Sequence, residues 1–253
     1  MDRLVFTSNA TIKEQATARQ VLVNDLANVS TVGFKSSYDV ALTSVKVQGA
    51  GFDSRFQAQT LSRDQIRMQP GSVMATGRPL DIAMANQSVL TVQAPNGDIA
   101  FTRRGDLRVN IQGQLENGSG HLVMGEGGPI TIPPGLMVHI NTDGSIYARD
   151  PAQVGPAAEV RIDQLRLREA DEVKLARRQD GLFKIDGQPD GTDIALGANL
   201  PQLIPQALEG SNVSAVEAMT RLIDQSRSFE TQIRIIKEMK GLDESGSSMM
   251  KTA

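Results

Sequence analysis

The sequence predicts a mainly β central domain, antiparallel and hairpin-rich, flanked by N- and C-terminal α-helices. Two observations carry this reading. All six Asn-Gly and Asp-Gly pairs of the 253-residue chain fall between residues 96 and 191, and both chain ends instead show apolar residues at helical spacing. Asn-Gly and Asp-Gly favour the positive φ angles of tight hairpin turns, whereas steps of three and four residues place side chains on one helix face.

At the N-terminus, Ala18, Val21, Leu22, Leu26 and Val29 form an apolar stripe that Leu4, Val5 and Ile12 continue less regularly. Residues 35–69 hold few large apolar side chains and no period. They include Lys35-Ser36-Ser37-Tyr38, Gly49-Ala50-Gly51 and Ser62-Arg63-Asp64-Gln65, and read as an extended connector with room for short strands. Residues 70–205 read as an all-β domain, with short β-branched or aromatic segments at 99–102, 107–111, 136–140, 145–148 and 182–185. Val160, Ile162, Leu165 and Leu167 keep period two but change phase at Asp163-Gln164, which signals a bulge or a corner.

Near the C-terminus, Ala215, Met219, Leu222, Ser226, Phe229, Ile233, Ile236 and Lys240 recur at alternating steps of four and three. Ser214 and Glu217 form a capping box ahead of them, and Gly241 is expected to stop the helix. Such a helix is roughly 38 Å long at ~1.5 Å per residue. The tail 243–253 is expected to be flexible. Residues 1–34 with 212–242 thus form a terminal helical domain. Its stripes require apolar cover, either from the β domain of the same chain or from each other and from neighbouring copies.

Composition narrows the chemistry. Lys and Arg number 26 against 29 Asp and Glu, a formal charge of −3, which argues against a strongly basic nucleic-acid binder. Cysteine is absent, so disulfides, thiolate catalysis and cysteine-ligated zinc are excluded. No apolar run reaches the ~18 residues of a membrane span, and the opening residues lack a signal-peptide core, so export is expected to proceed without a cleaved signal.

His121 and His139 show no metal-pair spacing, and His139 sits in an apolar strand segment. Ser119 lacks the flanking glycines of a nucleophile elbow. Asp186, Gln188, Asp190 and Gly191 imitate the start of a calcium loop, but Gly197 stands where the bidentate Glu belongs. The basic residues Arg161, Arg166, Arg168, Lys174, Arg177 and Arg178 alternate with acids and read as a mixed solvated face. No catalytic, cofactor-binding or metal-ligating residues are assigned.

Four segments resemble one family. The run from Val23 through Asn24, Asp25, Leu26, Ala27, Asn28 and Val29 to Gly33-Phe34-Lys35 is similar to the N-terminal signature of bacterial flagellar rod and hook proteins. Leu208-Glu209-Gly210-Ser211-Asn212-Val213 is similar to their C-terminal signature. Thr76-Gly77-Arg78-Pro79-Leu80-Asp81-Ile82-Ala83 and Phe101-Thr102-Arg103-Arg104-Gly105-Asp106-Leu107 resemble the start of their β domain. Met84-Ala85-Asn86-Gln87-Ser88 departs from the family's Gly-x-Gly at the corresponding place. Length and the Met1-Asp2-Arg3-Leu4 opening resemble proximal rod members, with distal rod members as the alternative.

The resemblance implies a structural, non-enzymatic subunit of the flagellar basal-body rod. Its flanking helices would form a coiled-coil-like assembly domain inside a hollow tube, with the β domain outside. It implies copies of itself and other rod proteins as partners, unfolded passage through the flagellar export apparatus, and a place in the periplasmic rod. No cofactor is implied. The expected assembly interface is Leu22, Leu26, Met219, Leu222, Phe229, Ile233 and Ile236, with Asn24 and Asn28 as polar register contacts. Gly33 is expected to be the bend into the connector or a plain helix stop. From other classes, a cell-wall glycan-acting enzyme would need two carboxylates ~5–10 Å apart, and a binding module would bury both helices on its own β domain.

Overall fold

The computed structural model describes residues 2–37, 41–46, 56–61, 65–151, 159–196 and 200–251. The chain divides into two compact units. One contains Met1–Ala27, Asp39–Arg63 and Ser214–Ala253, the other Asn28–Tyr38 and Asp64–Val213.

The first unit is built from α1 (Asp2–Ala27), β1 (Ala41–Lys46), β2 (Phe56–Leu61) and α2 (Ala215–Lys251). The expected connector contains a hairpin: β1 and β2 pair antiparallel, from Ala41 opposite Leu61 to Lys46 opposite Phe56. α1 lies along both α2 and β2. At the start of α2 the Glu217 amide donates to Ser214 Oγ at 3.4 Å and the Ala218 amide to the Ser214 carbonyl at 2.9 Å, so the Ser214 half of the expected capping box forms, while the Glu217 carboxylate accepts from Arg221 at 2.7 Å.

The far end of α2 differs from expectation. The helix runs through Gly241 to Lys251, 37 residues in all, so the stop at Gly241 is absent and most of the expected flexible tail is helical. Gly241 does not adopt the left-handed angle that ends helices. A single interior glycine costs only ~1 kcal/mol against alanine, and good helix formers flank it. Lys240 also pairs with Glu244 one turn on, at 3.7 Å.

The second unit is all β. In chain order it contains β3 (Val73–Ala75), β4 (Ile82–Met84), β5 (Ser88–Gln93), β6 (Ile99–Thr102), β7 (Leu107–Val109), β8 (Leu115–Asn117), β9 (Leu122–Val123) and β10 (Met137–Ile140). β11 (Ser145–Arg149), β12 (Val160–Gln164), β13 (Leu167–Glu169), β14 (Leu175–Arg177), β15 (Phe183–Ile185), β16 (Leu203–Pro205) and β17 (Ala207–Glu209) follow. An eight-stranded sheet runs in the order β14-β15-β6-β5-β9-β8-β7, with β13 also paired to β5. A second sheet has the order β10-β11-β12, and β16 and β17 return to pair with β4 and β3.

β5 is the centre of this unit. Successive side chains of a strand face opposite ways, and here Leu90 and Val92 enter one core with Ile82, Leu107, Ile130 and Ile146, while Val89 enters another with Phe101, Leu175 and Phe183. The phase change at Asp163-Gln164 is a bulge followed by a corner. Ile146 pairs with Asp163 and Tyr147 with Arg161, which leaves Ile162 unpaired, and the chain then passes from the three-stranded sheet to the large one.

The turn signals are met at Gly97, Gly144, Gly181, Gly187 and Gly191, all at positive φ. Asn117-Gly118 is different: Gly120 carries the positive angle. A Cβ on Gly118 would lie 2.0 Å from Asp106 Oδ2, so a larger residue there would have to displace the Asp106–Arg104 ion pair. Where the chain departs from Gly-x-Gly, Asn86 takes a left-handed φ of 47° between β4 and β5.

Candidate functional site

Two structures are candidates for function, the helix seam and a buried junction in the β unit. Along α2 the inward row is Ala215, Ala218, Leu222, Gln225, Gln232, Ile236 and Met239, with Ala218 and Met239 buried and the others partly so. Their spacing follows the a and d positions of a heptad in which Phe229 is also an a position. The expected stripe shares Ala215, Leu222 and Ile236 with this row, and Phe229 at the remaining a position is 41% exposed. Its second row lies one residue further round, where Ser226 and Ile233 are also partly buried but Met219 and Lys240 are exposed. Gln15 on α1 reaches across and donates from Nε2 to Ser228 Oγ at 3.0 Å.

The expected interface residues therefore fall into separate environments. Leu22, Leu26, Leu222, Ile233 and Ile236 are half-buried. Met219 is 53% exposed and Phe229 41%, and beside them on α2 Val216 and Ile223 are also exposed. Asn24 is exposed, and Asn28 accepts from Thr31 Oγ1 at 3.1 Å in the turn after α1.

Gly33 belongs to the β unit. It has φ +69°, its amide donates to the Glu209 carbonyl at 2.7 Å, and an added Cβ would lie 2.3 Å from the Arg103 carbonyl oxygen. The chain bends here because only glycine combines that angle with that approach. The next residues open the junction. Lys35 Nζ donates to Glu209 Oε1 at 2.7 Å and to the Gln69 carbonyl at 2.8 Å. Arg103 Nε donates to Glu209 Oε2 at 2.7 Å, while Nη1 and Nη2 donate to the carbonyls of Asn86, Ser88 and Met84. All three side chains are at most 1% exposed. Burial, helped by the neighbouring Arg103, lowers Lys35 to a pKa of about 8 against the opposing pull of Glu209.

Asn212 extends the junction. Its Oδ1 accepts from the Ser36 amide at 2.7 Å and its Nδ2 donates to the Arg67 carbonyl at 2.9 Å. Arg177 lies 4.4 Å over the Phe34 ring and donates to the Lys35 carbonyl. Sequence reasoning missed Lys35, Arg103 and Glu209 as a group. Each lies within one of the motifs, Lys35 after Phe34, Arg103 between Thr102 and Arg104, and Glu209 after Leu208, but nothing in the linear order shows that the three meet.

Several other charges of the β unit are paired. Asp193 takes both Arg166 and Arg168, at 2.6 and 2.8 Å. Burial would raise its pKa, but the hydrogen bonds from Arg168 and Arg166 outweigh that and hold it low. Asp190 of the calcium-like stretch is bonded by Lys184 at 2.8 Å and faces Arg178 at 3.5 Å, so its charge is already matched. Among the described residues no group of three or more His, Asp or Glu is placed to hold a metal ion. His139 stacks on Tyr147 with ring centroids 5.6 Å apart, in keeping with a strand histidine. Among the described residues no helix is long and apolar enough to cross a membrane.

Two segments of the chain match known families. Residues 83–148 match the flagellar hook protein FlgE/F/G D1 domain, and residues 204–249 match the flagellar basal body rod FlgEFG protein C-terminal region. The flagellar basal-body rod protein FlgF of Salmonella typhimurium is 37% identical over 238 residues, 93% of each chain. The chain belongs to the flagellar basal-body rod protein family. FlgF of Escherichia coli is 35% identical over 94% of each chain, and the rod protein FlgG of Buchnera aphidicola is 29% identical over 92% of this chain and 94% of its own. In this rod protein, Arg103 lies in the first matched segment and Glu209 in the second.

Proposed function

We propose that the chain is a non-enzymatic structural subunit of the flagellar rod, at its proximal part, which self-assembles through its terminal helices with copies of itself and with other rod proteins. The FlgF relatives of Salmonella typhimurium and Escherichia coli, at 37% and 35%, are more similar to it than FlgG relatives at 27–29%, while two Buchnera aphidicola FlgF proteins stand at 27–28%. The carrying observation is the apolar row left open on α2. While Leu222 and Ile236 turn inward, Val216, Met219 and Ile223 on the neighbouring side remain between 53% and 76% exposed. A helix whose inner row is covered and whose neighbouring row is apolar suits a bundle of more than two members.

In this reading the subunit leaves through the flagellar export apparatus without a cleaved signal and takes its place in the periplasmic rod. The absence of cysteine fits threading as an unfolded chain. The test is Met219→Lys together with Ile223→Lys. The purified variant is expected to unfold like the parent, while cells carrying it make no rod and do not swim. Normal rods from this variant would refute helix-mediated assembly.

A further inference from the structure

We propose that Lys35, Arg103 and Glu209 form a charge latch, which lets the β unit close only when the segment after α1 and the segment before α2 are both in place. The three residues come from distant parts of the chain: 174 residues separate Lys35 from Glu209 and 106 separate Arg103 from Glu209. Glu209 divides its carboxylate between them, Oε1 to Lys35 and Oε2 to Arg103, and Oε1 also takes the Gly71 amide at 2.9 Å. Among the described residues, the other hydrogen-bond partners of both cations are backbone carbonyls.

The cluster thus buries two positive charges against one negative. With Glu209 missing, closing the unit would bring two cations out of water side by side, and both desolvation and repulsion oppose that. Closure also depends on the segment that carries Glu209, because β17 pairs with β3 and the Glu209 carbonyl receives the Gly33 amide. A chain emerging from its N-terminus presents Lys35 and Arg103 well before their anion. The inference does not use the assembly reading, so its failure would leave that reading untouched.

The experiment compares full-length Glu209→Gln, Lys35→Met and the double variant by urea unfolding followed by circular dichroism, with hydrogen exchange at the Ser36 and Gly71 amides. Glu209→Gln is expected to raise the unfolding equilibrium constant by at least about a hundredfold and to expose both amides. Lys35→Met alone is expected to change it less than about tenfold, because Arg103 and Glu209 remain a neutral pair. Adding Lys35→Met to Glu209→Gln is expected to recover at least about tenfold, since it removes one unmatched cation. If Glu209→Gln fails to fold, recovery in the double variant decides the matter. A Glu209→Gln protein within about threefold of the parent, or a double variant no better than Glu209→Gln, would overturn the latch.

Discussion

At Gly33 a positive φ and a carbonyl at contact distance coincide, and either alone would favour glycine. Gly33→Ala is expected to destabilise the β unit by at least ~2 kcal/mol, from left-handed strain plus overlap with the Arg103 backbone. Gly77 is the control: it has φ +73° with open space around its Cβ, so Gly77→Ala is expected to cost only ~1 kcal/mol. Equal urea midpoints for the two would contradict this. Lys35 adds a pH dependence with a definite sign. Its folded pKa of about 8 lies below the ordinary 10.5, so between these values the unfolded chain holds more protons. This one group therefore makes the fold more stable as pH rises from about 8 to about 10.5, by up to ~3 kcal/mol, and the gain is lost as pH falls back through 8. Urea midpoints taken across that range should rise for the parent relative to Lys35→Met, and a constant difference would show that Lys35 titrates normally.

Helix α2 shows what spacing does and does not say. Alternating steps of four and three identify a helix with a seam, but Ala215, Leu222, Phe229 and Ile236 are compatible with a second row on either side. The inward row uses Ala218, Gln225, Gln232 and Met239, two of them glutamines whose Oε1 atoms are buried without a hydrogen-bond partner. Polar seam residues set register at a loss of stability. Gln225→Leu is accordingly expected to stabilise the helical unit by ~1 kcal/mol, through the apolar burial it adds and the unpaired acceptor it removes. Thermal unfolding followed at 222 nm checks it, and a lowered midpoint would mean that Gln225 has a partner in solution.

For the whole molecule, the unit boundaries set where the chain can be cut. The β unit comprises Asn28–Tyr38 and Asp64–Val213, so a chain of residues 28–213, which also carries Asp39–Arg63 of the other unit, is expected to unfold cooperatively in urea with a β-type spectrum. A chain of residues 35–211, close to the boundaries suggested by helical spacing, loses Gly33, Phe34 and Asn212 and is expected to be less stable by several kcal/mol. Comparable midpoints for the two would show that the junction adds little. Four ordered motifs in the sequence already point to the family, because each motif is a local run of residues. What brings three of them together is the return of β16 and β17 to β4 and β3.

The sequence by itself determined the kinds of element and their order: hairpins where Asn-Gly and Asp-Gly cluster, helices where apolar residues recur at three and four, a corner where the period changes phase. These are short-range effects of backbone angle and side-chain direction, written within a few neighbouring residues. Tertiary structure alone decided which row of α2 turns inward, that the connector contains a hairpin, that α2 passes through Gly241, and that Lys35 and Arg103 share Glu209. Those outcomes depend on which surfaces meet, and pairing across 174 residues leaves no periodic trace in the chain.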